Sequence, residues 1–173
     1  MSVVAGDVLA GLRRHHSPRY NGRAPDWVLF EELRTGAGFE QGVRQYIDLW
    51  AMNCWSSQRR MIAYEVKVSR SDFLVEMKKP TKRKLALFYS NLYYFATPKG
   101  LIRPEELPPE CGLIELQDNG RMRIAVEAPW RECHPPSWHF VASIARRVVE
   151  LTHEWGPAPE EHLRWHMRTG ALE

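Results

Sequence analysis

Asp48, Glu65 and Lys67 are the residues of this chain whose types and spacing lend themselves to chemistry. Asp48 lies in Arg44 to Met52 and the other two in Arg60 to Val68, segments that alternate as β-strands do. In the first, Ile47, Leu49 and Ala51 fall on one face, and Tyr46, Asp48 and Trp50 on the other. In the second, Ile62, Tyr64, Val66 and Val68 share a face, and Ala63, Glu65 and Lys67 share the opposite one. Turning a carboxylate and an ammonium group to the same side of a central strand is costly unless the charges pair or bind a metal. A sheet with one wet face is the plainer explanation. Glu65 and Lys67 are then a surface pair contributing well under about 1 kcal/mol. The chemical alternative uses two carboxylates from neighbouring strands as hard oxygen ligands for Mg²⁺ or Mn²⁺, with the Val66 backbone carbonyl as a further ligand. Such an ion polarises a phosphoryl oxygen and lowers the pKa of its bound water. Lys67 then orients that water or stabilises charge developing on the phosphate. This is the chemistry of phosphodiester hydrolysis.

The elements that must position these residues follow from periodicity. Val4 to His15 reads as a short helix with Val4, Val8 and Leu12 at helical spacing, ended by Ser17-Pro18 and Asn21-Gly22. Pro25 suits a first helical turn and predicts a second helix over Pro25 to Arg34, closed by Gly36 and Gly38. After the two strands, Ser69 to Lys79 reads as a helix, with Ser69 and Asp72 at the spacing of a capping box. Pro80 interrupts it and Thr81 to Tyr89 restarts it. Asn91 to Thr97 is a strand whose Tyr93, Tyr94 and Phe95 read as core residues rather than base-stacking groups. Pro98 to Gly112 is mostly loop with one helical turn. Leu113 to Leu116 and Met122 to Val126 flank Asp118-Asn119-Gly120, a hairpin signal. Ser137 to Glu154 is the longest predicted helix, with Phe140, Ile144, Val148 and Leu151 as its apolar stripe, and a short final helix is expected after Pro157. Interleaved strands and helices with no linker predict one α/β domain over 1–173, built on a mixed sheet. Its core covers about 24–128, the hairpin included, and a C-terminal helical extension covers about 137–173.

A chain of 173 residues, 44% hydrophobic and 26% charged, suits one globular domain with its own core. The formal net charge of +3 names no partner by itself. Lys78, Lys79, Lys82, Arg83 and Lys84 are clustered, which on charge alone reads as a solvated helix face. Beside a metal site the same cluster reads as a groove for a nucleic-acid backbone. Cys54, Cys111 and Cys133 are odd in number and widely spaced, which argues against a disulfide framework. Cys133, His134 and His139 lack regular zinc-ligand spacing. No run approaches the roughly 20 apolar residues of a membrane span, and Met1 to Arg14 lacks the pattern of a secretory signal, so a cytoplasmic protein is expected.

Asp48, followed after a spacer by Glu65-Val66-Lys67, resembles the motif of the PD-(D/E)XK nuclease superfamily, with Ile47 where the name-giving proline would stand. The stretch from Glu65 to Phe73 closely resembles the segment that marks MmcB-like DNA repair proteins and their phage-borne relatives. Leu92 to Pro98, and Glu106-Leu107-Pro108-Pro109 followed by Cys111-Gly112-Leu113-Ile114, fit the same pattern in the same order. The likeness covers about residues 26–116. It implies a restriction-endonuclease-like three-layer core and Mg²⁺- or Mn²⁺-dependent cleavage of DNA in repair or phage DNA metabolism. Asp48, Glu65 and Lys67 would be catalytic, with Asp48, Glu65 and the Val66 carbonyl on the metal. The resemblance also implies a helix before the sheet that often supplies another acidic residue. Phe30-Glu31-Glu32-Leu33-Arg34 occupies that place, with Glu32 the first choice and Glu31 the second. Arg70, just past the second strand, is placed to reach a phosphate oxygen, and Lys78, Lys79, Lys82 and Lys84 follow it. No helix-turn-helix is evident, so contacts to DNA are expected to be structure-specific rather than sequence-specific. A homodimer fits the resemblance, since cutting two strands takes two sites. The main alternative is a catalytically inactive DNA-binding or adaptor module with the same fold.

Overall fold

The strand that carries Glu65 is buried on both sides, and the layers of the molecule follow from that. The computed structural model describes residues 3–16, 25–35 and 45–152. In chain order these form α1 (Ala5–His15), β1 (Trp27–Arg34), β2 (Tyr46–Asn53), β3 (Met61–Val66), α2 (Arg70–Met77), α3 (Lys84–Phe88), β4 (Leu92–Pro98), β5 (Gly112–Leu116), β6 (Met122–Val126) and α4 (Trp138–Thr152). The strands make one six-stranded mixed sheet in the order β1-β2-β3-β4-β5-β6. β3, β4 and β5 run parallel, and β1, β2 and β6 pair antiparallel with their neighbours. On one face Val8 and Leu12 of α1 pack on Leu49, Ala51, Ile62, Tyr64, Tyr94 and Ile114. On the other, Phe73, Ala86 and Phe140 from α2, α3 and α4 pack on Phe30, Trp50, Ala63, Phe95 and Leu113. The chain therefore folds as a three-layer α/β structure with the expected hairpin and C-terminal helix.

Residues 25–34 differ from expectation. They form the edge strand β1, not a helix, paired with β2 from Trp27↔Asn53 to Arg34↔Tyr46. The physical reason is burial on both sides. Trp27 and Leu29 pack with the α1-side cluster, while Val28 and Phe30 pack with the other, a period of two that a helix cannot supply. The Glu31-Glu32 pair masks this pattern, and at Glu32 the strand takes φ 50°, in the left-handed region. Pro25 lies just before the strand rather than inside a helical turn.

The other elements fall where periodicity predicts. Ser69 caps α2 by accepting a hydrogen bond from the Asp72 backbone N–H at 3.2 Å. A short 3₁₀ turn at Pro80–Arg83 separates α2 from α3, and Pro104–Glu106 is the expected single turn. Gly120 closes the β5–β6 hairpin with φ 74°. Tyr93, Tyr94 and Phe95 are buried in the core. In α4 Phe140 is buried, but Val148 and Leu151 are 44% and 52% exposed, so only the first half of its predicted stripe packs. The final helix predicted after Pro157, the breaks at Ser17-Pro18 and Asn21-Gly22, and Gly36 and Gly38 lie outside the described residues. No helix among the described residues is long and apolar enough to cross a membrane.

β4 and β5 meet where Tyr94 pairs with Gly112. A Cβ at Gly112 would sit 2.5 Å from the Tyr94 ring and 2.6 Å from the Ala128 backbone nitrogen. A backbone atom cannot yield as a side-chain tip can. Gly112→Ala is therefore expected to destabilise the protein by on the order of 1–3 kcal/mol, read as a lower midpoint in urea unfolding.

Candidate active site at the end of the β2–β3 ladder

Backbone pairing between β2 and β3 runs from Met52↔Met61 to Leu49↔Tyr64 and goes no further. The next residue of β2 is Asp48. Its Oδ2 accepts a hydrogen bond from the Val66 N–H at 2.8 Å, so the carboxylate takes over where the ladder stops. The sequence places Ile47 on the face of Leu49 and Ala51. Instead Ile47 packs with Trp50 and Phe95, while Leu49 and Ala51 face α1. Strict alternation in β2 thus fails at Asp48, the residue that leaves the ladder.

Glu65 and Lys67 share a side of the chain, as their spacing requires, and Lys67 Nζ donates to Glu65 Oε1 at 2.7 Å. Glu65 is 7% exposed and Lys67 4%, so the wet-face reading of this pair does not hold. Burial works against the Lys67 ammonium, but Glu65 and Glu76 outweigh it and its pKa is raised. Lys67 stays charged.

Two further side chains complete the network. Glu76, on the buried face of α2 beside Phe73, is 4% exposed. Lys82, from the 3₁₀ turn, donates to Glu76 Oε2 at 2.8 Å and to Glu65 Oε1 at 3.2 Å. Lys67 Nζ also lies 3.6 Å from both Glu76 Oε2 and Asp72 Oδ2. Glu76 had not been singled out from the sequence. It falls three residues after Phe73, but Leu74 and Val75 are apolar too and exposed, so spacing alone does not say which face of α2 is buried.

Of the remaining predicted residues, Glu31 is bound to Arg13 of α1, on the opposite side of the sheet from Phe73 and α2. Glu32 is exposed and lines a cavity beside α4. The helix that the resemblance implied as their carrier is β1. Arg70 donates to both carboxylate oxygens of Glu106 and to the Leu101 carbonyl, tying α2 to the β4–β5 connection. Lys78, Lys79 and Lys84 are exposed and stand apart from the Glu65 network. Only Lys82 of that cluster enters it.

Asp48, Glu65 and Glu76, with the exposed Asp72 at the edge, face two ammonium groups, Lys67 and Lys82, so negative charge is in excess when all are ionised. Burial, and next the nearby Glu65, push the Asp48 carboxyl up to about 6, against the Val66 hydrogen bond. Glu76 Oε1 is buried with no hydrogen-bond partner. Excess negative charge, a strained carboxylate and an orphan acceptor fit a hard cation with oxygen ligands. Asp48 and Glu65 are the carboxylates that could hold it. Among the described residues, as the side chains stand, no three His, Cys, Asp or Glu groups are gathered to hold a metal ion.

No family model and no curated protein matches the chain. Its fold is similar to that of a solved protein of unknown function from Silicibacter pomeroyi, with TM-score 0.58 and 21% identity over 92% of this chain and 100% of that one.

Because the Asp48 pKa is raised on folding, its contribution favours the native state at low pH and is lost as pH rises through about 6. Asp48→Asn keeps an acceptor for the Val66 N–H without the charge. Without metal it is expected to stabilise the protein by on the order of 1–3 kcal/mol at pH 8 and by little near pH 4, measured by thermal melts at both.

Proposed function

We propose that this protein hydrolyses phosphodiester bonds in DNA with a divalent ion, Mg²⁺ or Mn²⁺, held by Asp48 and Glu65 and the Val66 carbonyl. The observation that carries the proposal is the buried Glu65–Lys67 pair beside Asp48, two carboxylates on neighbouring strands with an ammonium fixed between opposing charges. The ion would supply Lewis-acid polarisation of the phosphate and a more acidic bound water. Asp48 and Glu65 orient that centre. Lys67, kept charged by Glu65 and Glu76, would hydrogen-bond a phosphoryl oxygen or hold the attacking water in line. The motif resemblance adds the substrate class, with a setting in repair or phage DNA metabolism in the cytoplasm and a homodimer for paired cuts.

A second reading has its own observation. Glu65 Oε1 already accepts from both Lys67 and Lys82. Carboxylates neutralised by the chain's own lysines are what a non-catalytic DNA-binding or adaptor module would keep.

Labelled single-stranded, duplex and branched DNA incubated with Mg²⁺ or Mn²⁺ separates the two. Cleavage is expected, reduced about 100-fold or more in Glu65→Gln and Lys67→Ala, with circular dichroism checking that both fold. DNA binding without cutting establishes the adaptor. No binding, no cutting and no metal-dependent rise in Tm overturns both.

A further inference from the structure

Beyond the Glu65 network, β1, β2 and α4 enclose a cavity of about 390 Å³ with a polar wall. Glu32, Arg34, Tyr46, Arg146, Arg147 and Glu150 line it, and none of them belongs to the network around Glu65. Arg34 and Tyr46 face each other as the last pair of the β1–β2 ladder. Tyr46 is two residues from Asp48, so the cavity opens at the same end of the sheet as the candidate active site.

The chemistry of the wall is specific. Among the described residues, no hydrogen bond or ion pair engages the guanidinium of Arg34 or Arg146. Arg147 gives Nη1 to Glu150 Oε2 at 3.0 Å, but its Nε is buried without a partner. Arg34 is half-buried and Arg146 exposed, so both forks are open to a ligand, and guanidinium forks match the oxygens of a phosphate group. A buried donor without an acceptor, as at Arg147 Nε, is uncommon. Tyr46 is 47% exposed, an aromatic face at the rim on which a base can stack. Glu32, unpaired among the described residues, offers an acceptor that inorganic phosphate has no strong need of but that sugar hydroxyls and base N–H groups can use. Its φ of 50° shows that the backbone accepts local strain on this wall. The volume lies within the range of small-ligand sites.

We infer that this cavity is a mononucleotide-binding site, with Arg34 and Arg146 on the phosphate, Tyr46 on the base and Glu32 on a sugar or base donor. Binding there does not depend on whether the Glu65 centre cuts DNA. That the bound unit neighbours the scissile bond does rest on the nuclease reading.

Isothermal titration of the full chain with a 5′-deoxynucleoside monophosphate, the uncharged nucleoside and inorganic phosphate tests the inference. The monophosphate is expected to bind more tightly than either fragment. Arg34→Ala and Arg146→Ala each weaken it about tenfold, and Tyr46→Ala brings it down toward the phosphate alone. Glu65→Gln leaves this binding unchanged, which keeps the result separate from the cleavage assay. Arg34, Tyr46 and Arg146 lie outside the buried apolar core, and unchanged melting curves confirm folding of those variants. Circular dichroism at the titration temperature confirms that Glu65→Gln is folded. No binding, binding that survives both arginine substitutions, or binding lost with Glu65→Gln overturns the inference.

Discussion

A buried ion pair at the end of a sheet constrains the rest of the molecule. Glu65 and Lys67 sit two residues apart, both nearly inaccessible, with Nζ and Oε1 at 2.7 Å. Removing one member of such a pair leaves an uncompensated charge, a loss of about 3–5 kcal/mol. Forming it requires that something close over it. α2 and the 3₁₀ turn after it do so, bringing Glu76 and Lys82 inward. The placement of α2 is thus tied to the charges of β3 as well as to the contact of Phe73 with Phe95. On the other face Tyr64 makes the matching apolar anchor, with His16 at the end of α1 bonded to its hydroxyl at 2.7 Å. Burial holds that imidazole down at about 3, so it stays neutral where most histidines begin to charge.

Charge balance sets this network apart from a simple structural pair. A purely structural pair is best when it is neutral and every lone pair is met. Here the carboxylates outnumber the ammonium groups, Asp48 is pushed up to about 6, and Glu76 Oε1 has no partner. Such a centre is held together but not satisfied. By contrast Arg70 with Glu106 is a matched pair that fixes the β4–β5 connection, while Arg83 with Glu110 ties down the start of α3 and leaves only Arg83 Nη1 without a partner.

Much of the centre was legible because β3 obeys a period of two. Tyr64 and Val66 face one core while Ala63, Glu65 and Lys67 face the other, as the sequence pattern states. β2, β4, β5, β6 and α2 followed from similar local signals. What escaped had non-local causes. β1 is a strand because β2 pairs with it and two cores cover it, while its Glu31-Glu32 pair resembles a helix surface. The side on which Ile47 packs depends on where the β2–β3 ladder ends. Lys82 and its neighbours look alike in sequence, and only the turn at Pro80–Arg83 decides that Lys82 reaches inward. Glu76 needed knowledge of which face of α2 is covered.

The alternation in β3 also shapes how this sequence can drift. Core residues and charged residues are interleaved one by one along a single extended segment, and its neighbours β2 and β4 fix its register. Deleting or inserting one residue before Glu65 would exchange the two sets, sending carboxylate and ammonium toward α1 and Tyr64 toward α2. Length change in this segment is therefore closed to gradual divergence. Point substitution remains, and the indel tolerance of the chain must reside in its connections.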